Sequence, residues 1–484
     1  MMKNIEDYGY RFRAWDIAQR DKGLAQAILM FCCVLLLAPM VSAKEEVDES
    51  KMEYIDNGTI KLGVNLELGG AITYIADSSK GKNLVNNWDW GRQIQMSFFA
   101  EPRPYIEKGQ KPKKHWDHIG WNPIQAGDDY GNGSKVVEFK KKKTSLYVKC
   151  IPMQWPLNNV PGECTYECRI ELKDNTIQVR ARLNNARSDK NKYIGRHQEL
   201  PAVYSNGEYY RLLTYRGDKP FTGDKVDRIP KKKGDGFPWE YWFATENWAA
   251  LVNDKDWGLG IYKPDNYLFI GGFAGKEGRG GTHDSPTGYI APLHTEILDH
   301  NITYDYNYTL ILGSLNDIRG YAVKQGRGMG LPDWRFDKDR QHWRYEAAGN
   351  KGTDAGWPIK GYIQLDLGKH GMSAISPPRL WKAEAAPILH ISAAFMTSQK
   401  KSLIAWTKYR TDNHNPSFSA ENHLGFDIIG DGKFRTYTID LTSAGSYTGA
   451  LSYLMFKPIR KPEKGGWVKV KRIWFGKKSV KSKK

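Results

Sequence analysis

Between Thr176 and Leu183 the chain alternates strictly. Ile177, Val179, Ala181 and Leu183 fall on one face of an extended backbone, and Gln178, Arg180 and Arg182 fall on the other. A period of two places successive side chains on opposite sides of a strand and is incompatible with the 3.6-residue period of a helix. Thr303 to Leu312 repeats the pattern, with Tyr304, Tyr306, Tyr308 and Leu310 opposite Asp305, Asn307 and Thr309. One apolar and one polar face predict half-buried antiparallel strands. Similar runs at 146–151, 209–214, 249–252, 260–262, 437–441 and 468–475 are separated by Gly, Pro, Asn and Asp clusters, with no long helical pattern between them. Such sheets must be covered by other sheets, so the expected class is all-β, a sandwich or barrel architecture. The 17 Trp, 27 Tyr, 17 Phe and 48 Gly fit many short strands and tight turns.

At 484 residues the chain has room for two to four domains. The segment KQGRGMGLPDWRFDKDR, from Lys324, collects Gly, Pro and charge and predicts a boundary, with strands resuming around Tyr362. The expected units are a large β domain over 44–330, a smaller β-sandwich of jelly-roll size over 331–477 and a basic tail over 478–484. Ahead of them, AQAILMFCCVLLLAP (25–39) follows Arg20 and Lys22 and precedes Val41-Ser42-Ala43. This predicts a leader and signal peptide over 1–43, cleaved near Ala43, and hence a secreted or periplasmic protein. The run is too short to span a bilayer comfortably and no later run approaches that length, so no stable membrane insertion is expected. Nothing in the sequence accounts for residues 1–19.

Three cysteines remain beyond the signal: Cys150, Cys164 and Cys168. Cys164 and Cys168 on one strand would sit roughly 13 Å apart, beyond disulfide reach. That leaves either a bridge from Cys150 to one of them or three buried thiols. No metal or cofactor follows from their spacing. The net charge is +18, and +17 without the first 43 residues. A basic protein steers and holds anionic partners, which for an exported one points to a uronic or sulfated polysaccharide. The lysine runs at 111–114, 140–143 and 231–233 could also read as nucleic-acid patches, but export and the lack of a nucleic-acid-binding fold argue against that partner.

Ile60 to Phe99 contains a strand, then Gly69-Gly70-Ala71-Ile72, a turn through Asn83-Leu84-Val85-Asn86, and Asp89-Trp90-Gly91-Arg92. This resembles the opening of galactose-mutarotase-like domains, the β-supersandwich of aldose epimerases and of domains in many glycosidases and polysaccharide lyases. The resemblance spans about residues 55–320 and implies strands lining a sugar cleft. The epimerases' catalytic His lies in an Asn-His-aromatic context that this chain lacks; its own candidate is Arg196-His197-Gln198-Glu199-Leu200-Pro201. The smaller domain resembles the β-sandwich modules that accompany secreted carbohydrate enzymes.

His197 and Glu199, two apart on a strand, would stand on one face as an acid/base pair, the carboxylate raising the imidazole pKa towards neutrality. Glycoside hydrolysis needs two carboxyl groups. Glu240, between Trp239 and Trp242, is the expected general acid because an apolar setting raises a carboxyl pKa; Glu246, Asp265 and Glu296 are further acidic residues, with a structural role expected for Glu246. A lyase would instead need a group neutralising a uronate and a Tyr or His to move protons, for which Arg92, Gln93, Arg196, His197, Tyr204 and Tyr210 are candidates. Trp121 and Trp239 are expected sugar-stacking platforms, and His283 could reach the cleft from the glycine-rich loop 278–288. The classes in view are glycoside hydrolase first, polysaccharide lyase second and non-catalytic glycan binder third.

Overall fold

The alternating segments form the centre of the largest sheet. In the computed structural model, which describes residues 49–233, 238–326, 330–346, 354–368, 372–412 and 414–477, Thr176–Asn185 pairs with Cys164–Lys173 on one side and Thr303–Ser314 on the other. The expected leader and signal peptide over 1–43 and the tail over 478–484 lie outside the described residues. The registers bring the apolar faces into rows. Ile177 lies between Leu172 and Leu310, Val179 between Ile170 and Tyr308, and Ala181 between Cys168 and Tyr306. A slip of one residue would turn each row to solvent, so the pattern itself fixes the pairing.

This nine-stranded antiparallel sheet, ending at Asp227–Ile229 and Lys135–Lys141, shares one core with a seven-stranded sheet. The latter runs, in spatial order, through Glu240–Phe243, Leu268–Ala274, Thr287–Glu296, Arg196–Asn206, Gln95–Ser97, Pro123–Ile124 and Met153–Gln154. Phe98, Trp121, Trp242, Phe269, Tyr166 and Val203 fill the space between them; burying each large side chain contributes about 1.5–3 kcal/mol or more. The supersandwich expected from the Ile60–Phe99 segment is thus what forms. A three-stranded sheet, Met52–Asp56, Ile60–Asn65 and Ala71–Asp77, joins at one end. Its Gly69-Gly70 turn requires glycine: φ is +58° and +73°, and a Cβ on Gly70 would lie 2.4 Å from a Val148 methyl. Cys150, Cys164 and Cys168 are all free and buried, which settles the open choice between a bridge and thiols. Burial raises their pKa values, that of Cys168 to about 12, so they behave as inert core groups.

One helix, Leu315–Gly326, was not expected. Ser314 and Asp317 cap its start reciprocally, the Ser314 amide donating to the Asp317 carboxylate (3.0 Å) and the Asp317 amide to the Ser314 hydroxyl (3.2 Å). Its buried residues are only Ile318, Ala322 and Gly326, a stripe too narrow to register as a helical period.

From Asp333–Arg335 onward the strands build their own two antiparallel sheets, of five and six strands, around Phe336, Trp343, Phe395, Trp406 and Phe456. Strands therefore resume about thirty residues before the expected Tyr362. Ile375 and Tyr453 of this unit pack into one apolar cluster with Phe243, Tyr289 and Leu293 of the seven-stranded sheet. Buried Arg340 donates to Asp299 and to Asp354, both at 2.7 Å, and locks the connecting segment to the larger domain. Among the described residues no helix is long and apolar enough to cross a membrane.

Candidate functional site

Where the second domain meets the seven-stranded sheet, half-buried polar groups from both converge. His197 and Glu199 come from Arg196–Asn206, Tyr241 from Glu240–Phe243, and Arg344 and His414 from the second domain. The His197 ring lies 5.8 Å from that of Tyr241, which stacks on His414 at 4.7 Å and 16°. Thr295, opposite His197 across the strand pair, has its hydroxyl 3.3 Å from His197 Nδ1.

A bulge shapes this surface. Glu199 pairs with Leu293 but Val203 with Ile290, so the strand carries one extra residue between them. The extra residue reverses the alternation. Leu200 and Val203 point into the sandwich core, while Ala202 and Tyr204 join Tyr289 and Trp239 on the face turned to the second domain. Glu199 stands beside Tyr289, which stacks on Tyr204 at 4.6 Å, with Trp239 at 5.0 Å from Tyr289.

The electrostatics invert the expected division of labour. Crowding by protein pushes the Glu199 carboxyl up to about 7, with the neighbouring Tyr289 hydroxyl acting in the opposite direction. His197 is pushed down to about 3, first by burial and then by the charges of Arg344, His414 and Arg196. The carboxylate does not raise the imidazole towards neutrality. His197 is a neutral hydrogen-bonding group, and Glu199 is the one whose protonation changes near pH 7. His414 is likewise held down, to about 4, by burial.

The other expected site residues distribute along and away from this face. Glu240 shares the side of its strand with Trp242, which is in the sandwich core, so it faces away from Tyr241 and His197. Its side chain is 45 % exposed and 3.5 Å from Lys232 Nζ. The apolar setting expected to make it a general acid is absent. Trp121 is 0 % exposed with the Arg187 guanidinium 4.9 Å over its ring, which leaves no face for a sugar. Trp239 is also buried, against Tyr289, and forms no open platform. Arg196 donates to the Ile119 carbonyl (3.1 Å) beside Glu101 (3.7 Å), and burial with Arg103 nearby lowers its pKa to about 9.

Arg92 and Gln93 are buried and structural. Arg92 pairs with Asp89 (3.0 Å) and donates to the Ser285 carbonyl (2.7 Å), and Gln93 donates to the Asp89 carbonyl (2.8 Å). Together with Asn86, which donates to the Asp284 carbonyl at 2.9 Å, Arg92 pins the 278–288 loop instead of meeting a uronate. His283 is exposed on that loop, and Tyr210, bonded to Asp254, lies beside its Gly278. Both sit at the Thr287 end of Thr287–Glu296, whereas Glu199 pairs near the other end. The expected binding set is therefore split. Glu246 is fully buried and holds Arg319 by two 2.9 Å bonds, the structural role expected of it. The lysine runs do not ring the cleft as one belt: Lys140 and Lys141 lie on the edge strand of the nine-stranded sheet, and Lys113 pairs with Asp129 (2.8 Å).

Tyr241, Tyr289, Arg344 and His414 were missed from sequence. Arg344 and His414 belong to the other domain, and only the docking of the two domains reveals them. Tyr289 had a legible signal in the apolar run from Tyr289 to Leu293, but the bulge that aims Glu199 at it had none.

No protein-family model matches the chain, and no curated protein matches it. Among solved structures the chain is similar to a galactose mutarotase-like protein from Lactobacillus casei ATCC 334, at 14 % identity and a TM-score of 0.33, over 54 % of this chain and 99 % of that one. It is also similar to a galactose mutarotase related enzyme from Lactobacillus acidophilus, at 12 % identity and a TM-score of 0.34, over 54 % and 97 %. A third similarity is to 4-alpha-glucanotransferase from Thermococcus litoralis, at 12 % identity and a TM-score of 0.30, over 55 % and 37 %.

Proposed function

We propose that the protein is a carbohydrate-active enzyme that transfers a proton at Glu199, and that its reaction is β-elimination on a uronic-acid polymer, carried out beyond the cytoplasm after cleavage near Ala43. The observation that carries this reading is the half-buried Glu199 carboxyl, pushed up to about 7 by burial beside Tyr289, on the strand whose His197 feels the charge of Arg344. A proton-transferring group works best when its pKa lies near the working pH. Above pH 7 Glu199 is ionised and takes the C5 proton. The electron pair of that C–H bond forms the C4–C5 double bond, the C4–O bond breaks, and the leaving oxygen receives the proton back from Glu199. Arg344, whose charge acts on His197, would offset the uronate charge and so make the C5 proton more acidic, and the basic net charge favours a polyanion.

Elimination is preferred over hydrolysis because hydrolysis uses two carboxyl groups, and Glu240, the expected second one, faces away and pairs with Lys232. The test is the product formed from a panel of neutral, uronic and sulfated polysaccharides. An unsaturated uronate end supports the proposal. A plain new reducing end means a hydrolase, and binding without products means a glycan-binding protein; either result overturns the elimination reading.

A further inference from the structure

On the face of Thr287–Glu296 opposite Thr295, two apart on the strand, stand His294 and Glu296, both buried in the larger domain. Tyr304, from the facing sheet, donates to Glu296 Oε1 at 2.9 Å. The third member arrives from the segment that connects the domains: His342, in the left-handed region at φ +60°, brings Nδ1 against the same Glu296 oxygen. His294 Nδ1 lies 3.7 Å from that oxygen, and the two imidazole rings are 3.7 Å apart between centroids. One donor atom from each of the three residues falls within 4.8 Å of the others.

His294 is the second, independent observation. It is 2 % exposed, and neither ring nitrogen makes a hydrogen bond of full geometry, although the Asp265 backbone lies close enough to act on the ring. Burying a polar group unpaired costs free energy that native interiors avoid unless a water or an ion completes the site. An imidazole with a free nitrogen aimed at a carboxylate and a second imidazole is what a first-row divalent cation completes. We propose that His294, Glu296 and His342 bind one Zn²⁺ ion.

Two imidazole nitrogens and one carboxylate oxygen suit Zn²⁺, which binds such donors at about 2.0–2.2 Å and in three-ligand sites keeps a fourth position for water. The all-oxygen preference of Ca²⁺ and Mg²⁺ excludes them. His342 supplies the opening, since its side chain is 33 % exposed while those of its partners are nearly closed off. On binding, the metal takes the place of the His342 Nδ1 to Glu296 hydrogen bond: the neutral imidazole carries its single proton on Nε2, and Nδ1 and Oε1 separate to bonding distance from the ion. Lys263, buried within electrostatic range of Glu296 and His294, is the cationic group facing the site from the neighbouring turn. The ion would clip the connecting segment to the sheet, one residue from Thr295 and two from Arg344, and so would fix the two residues that act on His197.

The test is metal content and thermal stability of the full chain, with Zn²⁺ alone as the probe. Wild type, stripped with chelator and reloaded, is expected to hold about one Zn²⁺ and to gain several degrees in Tm. His342→Ala, at a half-exposed position and so expected to fold, should lose at least ~100-fold in Zn²⁺ affinity and the Tm gain with it, more than the loss on removing an outer-shell partner. His294→Ala should do the same. Equal Zn²⁺ uptake by wild type and His342→Ala, or no uptake by wild type, overturns the proposal.

Discussion

The Thr295 hydroxyl lies 3.3 Å from Nδ1 of His197, the contact through which the strand bearing His294 and Glu296 holds the His197 imidazole in place. His197 is thereby oriented while burial and Arg344 keep it uncharged, and the same crowding drives Glu199 the other way.

Acid should destabilise the fold through His197 and His414. Their folded pKa values, about 3 and about 4, lie below the unfolded value near 6.5. The unfolded chain therefore binds more protons as pH falls, and their contribution to stability, complete above pH 6.5, is lost progressively towards pH 3–4. Acidification from pH 7.5 to 5 should lower the urea midpoint of wild type relative to that of His197→Gln. Equal shifts in both would contradict the burial of a neutral His197.

Glu199 should give the opposite trend. Its pKa of about 7, raised from near 4.5, means the folded state holds the extra proton between those values, so stability declines as pH rises from 4.5 to 7. Glu199→Gln is expected to be more stable than wild type at pH 8, by up to about 3 kcal/mol, and equal to it near pH 4. A variant less stable at pH 8 would show that the ionised carboxylate has a partner in the fold.

Removing Glu246 should be severe. It accepts from both Arg319 nitrogens, from the Trp248 indole and from the Phe221 amide, each at 2.9 Å. Glu246→Ala strands a partly buried guanidinium, at a cost of ~3–5 kcal/mol. Chemical denaturation would register it as a shift in midpoint without a change in slope; a shift below ~1 kcal/mol would contradict the account.

How much of this was written in the sequence depends on the range of the interactions involved. Val179 could be assigned to the core from its neighbours alone, because alternation is local and sheets must be covered. The pair His197 and Glu199 was visible for the same reason. Their protonation states were not, since these follow from Arg344, His414 and Tyr289, which lie about 90 to 220 residues further on. Trp121 and Glu240 misled because a flanking Gly, Pro or Trp says nothing about which face a side chain takes once strands pair. Arg92 looked like a ligand-binding cation, yet its partner, the Ser285 carbonyl, is 193 residues distant.

Binding of an anionic polysaccharide should weaken with salt, because at ~0.15 M ionic strength fields from exposed charges fall off within about 8 Å. A neutral glycan should bind independently of salt. Titrations of one uronic and one neutral polysaccharide at low and high salt separate the cases. Salt-independent binding of the neutral glycan alone would remove the polyanion from the account.

The most direct measurement is the rate of appearance of unsaturated uronate ends, followed by ultraviolet absorbance, for wild type, Glu199→Gln and Glu240→Gln on the same uronic polysaccharide. The account predicts that Glu199→Gln folds and loses at least ~100-fold in turnover, as removal of a proton-transferring side chain does, while Glu240→Gln keeps the wild-type rate. Undiminished turnover by Glu199→Gln would contradict it.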